Sequence, residues 1–303
     1  MLFLALQGLG PVPAALSLKA PGIRDPVVPG TLWANVLEAF ALRQGLLMIL
    51  LTLGFLGPLV DPDRPRNEHL LAGWILAAVG LHLVFGKFGW FDRYEVYVWA
   101  AMLLQAAYLY RRSLVGWTRR AGAVPASLVL ALAAVVVSLP YVANIAKTPM
   151  ASNDVFIEHY QMHRFLTEYY QGAVGMNGIG WVSYRNDEYV LDLYGLTSKR
   201  IRDLRYGSPQ SLQWMDDLTR EAGADLAMIY VHWFGGAPAA WTPIGQLETT
   251  RAKALSADRV VTFFATRPAA AAGIRAHLED FVPTLPEGVR FVMFREPEAA
   301  TGS

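Results

Sequence analysis

Apolar residues dominate four stretches in the first half of the chain, and polar residues punctuate them only at the ends. The stretches run from about 42–60 ("LRQGLLMILLTLGFLGPLV"), 69–85 ("HLLAGWILAAVGLHLVF"), 94–110 (containing "VYVWAAMLLQAAYLY") and 121–141 (containing "ASLVLALAAVVVSLP"). Each approaches the ~20 residues that cross a bilayer as a helix, and each lacks a charge at its middle, where one is most costly. The pattern predicts four membrane spans over residues 42–146.

From Lys147 onward the periodicity changes. "ASNDVFIEHYQMHRFLTEYYQG" reads as an amphipathic helix with Ser152 or Asn153 as its N-cap. Its apolar line is Val155, Met162, Leu166 and Tyr169. Beyond it, "AVGMN", "EYVLDLY", "DLAMIYV", "RVVTFFAT" and "VRFVMF" read as strands, and "PQSLQWMDDLTREAGA" and "PAAAAGIRAHLEDFV" as helices. Alternation of this kind predicts a small α/β domain with a partly parallel sheet over 147–303. The fold class expected is therefore an α-helical polytopic membrane region followed by a small α/β extracytoplasmic domain. Residues 1–41 read as an extracytoplasmic loop preceded by the remnant of another membrane helix in "MLFLALQGLG", as if the chain were the C-terminal part of a longer protein.

Charge orients the chain. The link "RRSLVGWTRR" carries Arg111, Arg112, Arg119 and Arg120, and the positive-inside rule makes it cytoplasmic. "DPDRPRNEH" then falls inside as well, while "GKFGWFDRYE" and everything after Tyr141 fall outside. This is the pattern of a multi-pass protein of the inner (plasma) membrane. Only 17% of residues are charged and the net charge is +1, with no basic patch of the kind that binds nucleic acid. The absence of cysteine excludes disulfides, thiolate metal sites and cysteine nucleophiles.

Four places carry possible chemistry. "GMNGIGWVSYRNDEYVLDLYGL" (175–196) evokes a dinucleotide fingerprint, but Ser183 stands at the third glycine position and Asp192 comes too early for the ribose acid. The segment reads instead as a strand, a glycine turn permitting close backbone packing, and a short helix, with Asn177 and Asp192 as polar anchors. In "FDRYEVY", Arg93, Tyr94 and Glu95 open the third span beside Trp90 and Phe91. They fit an interfacial aromatic belt with a snorkelling arginine, or an arginine that grips a lipid phosphate while Glu95 orients it or a sugar hydroxyl. His159 and His163 share a helix face at i, i+4 spacing, which suits zinc or a packed polar face, but no third ligand can be named. "VHWFGG" follows a strand, so His232 and its aromatic neighbours suit either a sugar site or packing. No nucleophile motif joins Ser183, Asp192 and His232.

"GKFGWFDRYEVYVWA", "NDVFIEHYQMHRFLTEYY" and "VGMNGIGWVSYRNDEYVLDLYGLTS" together resemble the C-terminal half of bacterial membrane glycosyltransferases of the GT-C type, over about residues 80–200. The resemblance implies an enzyme that takes a sugar from a polyprenyl-phosphate carrier on the outer membrane face. Its partners would be membrane lipid, the lipid-linked donor, and a glycan or protein acceptor. It maps the outer "RYE" onto Arg93–Glu95, the "YQM" helix onto Tyr160–Met162, and the later stretch onto Gly175–Leu196. Relatives often place Asp where this chain has Gly178, which leaves Asn177 as the polar residue there. The catalytic carboxylate of such enzymes lies in an early outer loop. Asp25 and Glu38 sit in "ALSLKAPGIRDPVVPGTLWANVLEAF", but nothing marks either as a base. The general base that deprotonates an acceptor hydroxyl is thus expected upstream of Met1, with this part alone inactive. No cofactor is implied beyond a divalent metal in the complete enzyme. The alternative is a membrane-anchored extracytoplasmic binding or assembly protein without catalysis.

Overall fold

The computed structural model describes residues 29–207, 211–254 and 258–295. The expected helix remnant at the N-terminus, and Asp25, lie outside these residues. Contacts divide the chain into two compact units, with the boundary between Ala146 and Lys147.

The first unit is helical. It comprises α1 (Pro29–Ala41), α2 (Arg43–Leu53), α3 (Leu56–Val60), α4 (Arg66–Phe85), α5 (Val96–Leu109), α6 (Arg111–Ala121) and the start of α7 (Ala123–Val155). Among the described residues, three helical runs are long and apolar enough to cross a membrane: Arg43–Val60, Arg66–Phe85 and Val124–Tyr170. The first two match the expected spans closely. The third expected span is shorter than the sequence suggested. α5 has 14 residues, which rise about 21 Å, because a turn precedes it and the chain breaks at Tyr110 before α6. Residues 29–41, read as a loop, are helical, and Glu38 is an ordinary position on that helix. Asn35 explains part of this. Its side-chain amide donates to the carbonyls of Leu83, Val84 and Gly86 at 3.1, 3.2 and 2.7 Å, satisfying the exposed carbonyl end of α4.

Two polar clusters fasten the helices. Glu68 is buried and pairs with Arg64 (2.9 Å) and Arg111 (2.8 Å), joining the two arginine-bearing segments that charge placed on one side. The second cluster, around Asp92, involves Gln44 and Asn144. The apolar core of this unit includes Met48, Phe55, Ala72, Ile75, Val79, Val98, Trp99 and Met102.

The second unit is the expected small α/β domain. α7 continues through π-helical turns at Phe156–Tyr160 and Phe165–Tyr170. No new helix starts at Ser152 or Asn153, where an N-cap was expected. Asp154 instead accepts a hydrogen bond from the Ala254 amide at 2.7 Å, a tertiary contact that overrides local preference. The sheet has six strands: β1 (Val174–Met176), β2 (Val190–Asp192), β3 (Leu226–Ile229), β4 (Thr242–Thr249), β5 (Val260–Ala265) and β6 (Val289–Met293). Their order is β2-β1-β3-β5-β4-β6. β2, β1 and β3 are parallel, and the remaining neighbours antiparallel.

Alternate residues of β3 point to opposite faces. Leu226 and Met228 join Phe165, Met176, Phe263, Leu278 and Phe281 on one side. Ala227 and Ile229 join Leu193, Trp214, Met215 and Phe264 on the other. The sheet is thus the middle layer. Helices α8 (Lys199–Gly207) and α9 (Gln213–Glu221) cover one face, and the π-helical run with α10 (Ala271–Phe281) covers the other.

Candidate functional site

In the helical unit, the α4–α5 connection holds the predicted Arg93–Tyr94–Glu95 group. Gly89, Trp90, Phe91 and Asp92 all have positive φ, at 83°, 52°, 64° and 55°. Three consecutive non-glycine residues in the left-handed region cost about 1–3 kcal/mol each and persist only where surroundings hold them. Asp92 supplies that hold. Its buried carboxylate accepts from Gln44 Nε2 and Asn144 Nδ2, both at 2.7 Å. Glu95 is fully buried, and its two oxygens accept from the Gly89 amide at 3.3 and 3.2 Å. Glu95 therefore closes the turn and does not orient Arg93. Arg93 is exposed and lies over the Trp90 and Tyr94 rings, 5.8 and 5.0 Å from their centroids. It also donates to the Tyr94 hydroxyl at 3.2 Å. Sequence reasoning missed Asp92, although a buried carboxylate beside Gly-Trp-Phe is the kind of anchor such a turn needs.

In the α/β unit, the other candidates gather where parallel strands end, the edge at which open α/β sheets bind ligands. Asn177 directly follows β1, Asp192 ends β2, and His232 lies in the turn after β3. They do different work. Asp192 is buried and spent on its own loop, accepting from the amides of Tyr194, Gly195 and Thr197 and from the Thr197 hydroxyl. Asn177 Oδ1 accepts from the Tyr230 amide at 3.2 Å, while its buried Nδ2 has no partner. His232 Nδ1 sits 2.7 Å from Asp258 Oδ2, with the imidazole largely exposed.

Behind this edge lies a network that the sequence did not reveal. Glu158, on the first π-helical turn, is buried and bonded by the Tyr230 hydroxyl and by Lys253 Nζ at 2.5 Å. Lys253 also donates to the Asp258 carbonyl at 2.5 Å. Burial, reinforced by the Glu158 charge, pushes the Tyr230 phenol well above its ordinary range. Glu158 stands three residues after Val155 and four before Met162, so helical spacing puts it on the buried face. What the pattern could not supply is its partners, Tyr230 and Lys253, which lie 72 and 95 residues away. His159 Nδ1 lies 3.8 Å from Glu158 Oε1, and the Tyr160 and His163 rings stack at 6.0 Å. Among the described residues no three His, Cys, Asp or Glu side chains group closely enough to hold a metal ion.

The glycine turn also differs from expectation. A Cβ at Gly178 would meet His159 Nε2 at 3.6 Å, an ordinary contact, and one at Gly180 would meet nothing within 4 Å. Close packing belongs to Gly175, where a Cβ would lie 3.1 Å from both Leu193 and Thr219.

Residues 149–264 match the model of a family described as a domain of unknown function, DUF8728. That range holds β1 to β4, all of β5 but Ala265, and the Glu158–Tyr230–Lys253 network. No curated protein and no solved structure matches the chain.

Proposed function

We propose that the chain is the C-terminal part of a membrane glycosyltransferase that moves a sugar from a lipid-phosphate carrier to an acceptor on the extracytoplasmic side. The observation that carries this reading is the left-handed turn at Gly89–Asp92. A strained backbone stabilised by two long-range hydrogen bonds to Asp92 displays Arg93, Trp90 and Tyr94 together at the end of the apolar helices. Strain of this sort clusters at ligand clamps. A guanidinium with an aromatic bed suits a phosphate that sits beside an apolar tail.

On this reading Arg93 contacts the carrier phosphate, Trp90 and Tyr94 flank the lipid at headgroup level, and Asp92 and Glu95 hold the turn. The base that activates the acceptor lies elsewhere in the complete enzyme. The helical unit is membrane-embedded and the α/β unit extracytoplasmic. The resemblance of three segments to GT-C enzymes and the tie between the two arginine-bearing segments, Glu68 with Arg64 and Arg111, support that arrangement.

The test is binding of undecaprenyl phosphate to the protein in nanodiscs, read by native mass spectrometry. Binding that weakens about tenfold in Arg93→Ala, the loss of ~1.4 kcal/mol, is expected. Equal retention by both proteins would remove the phosphate role and favour the non-catalytic binding protein.

A further inference from the structure

Around the turn after β1, polar atoms without partners meet exposed aromatic rings. His159 Nδ1, His163 Nδ1 and Asn177 Nδ2 are buried and make no hydrogen bond. Asn177 is 6% exposed. A Cβ on Gly178, directly after Asn177, would lie 3.6 Å from His159 Nε2, and Trp181 is three residues further on. Trp181 is 44% exposed, yet held in place. Tyr160 and Tyr184 stand nearly perpendicular to it, at interplanar angles of 80° and 79° and centroid distances of 5.9 and 5.6 Å. His163 lies 6.4 Å from it.

We infer that this edge of the α/β unit, built from Asn177, His159, His163 and Trp181 with Tyr160 and Tyr184 as braces, binds a neutral saccharide. The composition of the patch selects the class of ligand. A purely apolar occupant, whether lipid chain or protein surface, would rest on the tryptophan and relieve none of the desolvation cost that the buried, unpartnered imidazole and amide nitrogens already carry. A sugar ring presents an apolar C–H face for the indole and hydroxyls that both donate and accept. The charged groups nearby favour a neutral ligand. Glu158 is matched by Lys253, and Arg164 donates to Gln161 and pairs with Glu168. Arg185 lies on the Tyr184 ring, 5.4 Å from its centroid. This inference concerns the α/β unit alone and stands whether or not the chain belongs to a transferase.

The experiment uses the full chain in detergent micelles on an array of neutral and acidic oligosaccharides. Vesicles of phosphatidylglycerol serve as a separate arm. A neutral saccharide identified on the array is then titrated by isothermal calorimetry against three variants. Trp181→Ala is expected to weaken binding about tenfold, ~1.4 kcal/mol. Trp181→Phe, which keeps an aromatic face, stays within about threefold, on the order of half that energy. Trp74→Ala, at an exposed tryptophan of the helical unit, binds as the native chain does. Melting curves of the variants show whether the fold is intact, which an exposed position should allow. Asn177→Ala gives a second reading of the polar contacts. No neutral saccharide on the array, binding confined to acidic glycans or to vesicles, or equal binding by Trp181→Ala would each overturn the inference.

Discussion

Single residues in this protein do work that their chemical type alone does not announce. Asp92 and Glu95 are carboxylates one turn apart, and the obvious reading makes one of them a partner for Arg93. Both instead hold backbone and amides, leaving the arginine to the aromatic rings. Asp192, singled out for its place after a glycine turn, is consumed by its own loop. Tyr230 lends itself to a direct test. Its phenol has an ordinary value of 10.0 and is raised in the folded state by burial and by Glu158. A raised folded value means that the stability it contributes is fully present below pH 10.0 and is lost as pH rises through the folded value. Thermal melts between neutral pH and the alkaline limit should therefore fall off above that point in the native protein. In Tyr230→Phe the fall should be shallower by the part that this phenol supplies. Parallel curves would mean that Tyr230 does not titrate with folding.

At the scale of elements, hydrophobic pattern identified what is periodic and missed what is set by contact. Five of the six strands were legible because their apolar runs are short and bounded by turn residues. β4 was not, although it is the longest of the six and lies between β5 and β6. Its sequence "TPIGQLET" mixes Pro, Gly, Gln and Glu, and its register shifts between Pro243 and Gly245. The glycine is required by the neighbour strand. A Cβ there would sit 2.4 Å from Phe291 and 2.6 Å from the Val292 carbonyl. Gly245→Ala should consequently destabilise the α/β unit by about 1–3 kcal/mol, the range for overpacking, whereas Gly178→Ala should be near neutral. Pulse proteolysis of the full chain distinguishes the two, and equal sensitivity would contradict this account of β4. The shortened α5 and the uninterrupted α7 have a similar origin. The left-handed turn and the Asp154–Ala254 contact arise between residues far apart in sequence, and no local window contains them.

For the whole molecule, the succession of a helical region and a small α/β domain was readable from the change in hydrophobic pattern along the chain. The candidate sites were legible in part. The sequence marked Arg93, Asn177, His159, His163 and His232. It did not show that Asp92 holds the strained turn, or that Glu158, Lys253 and Tyr230 form one buried network. The proposed orientation is open to measurement because the chain has no cysteine. Ser113→Cys and Asp187→Cys, both at exposed positions, should label from opposite sides in intact cells. An impermeant maleimide should reach residue 187 and not residue 113, and the reverse pattern would invert the topology.

The most direct test of the transferase proposal is sugar transfer itself. Membranes containing the complete protein would be supplied with a radiolabelled polyprenyl-phosphate sugar, with incorporation into acceptor compared between native protein and Arg93→Ala. The account predicts incorporation by the native protein and a loss of about tenfold or more in the variant. Undiminished transfer by Arg93→Ala, or no transfer from any polyprenyl-phosphate sugar by the native protein, would contradict it.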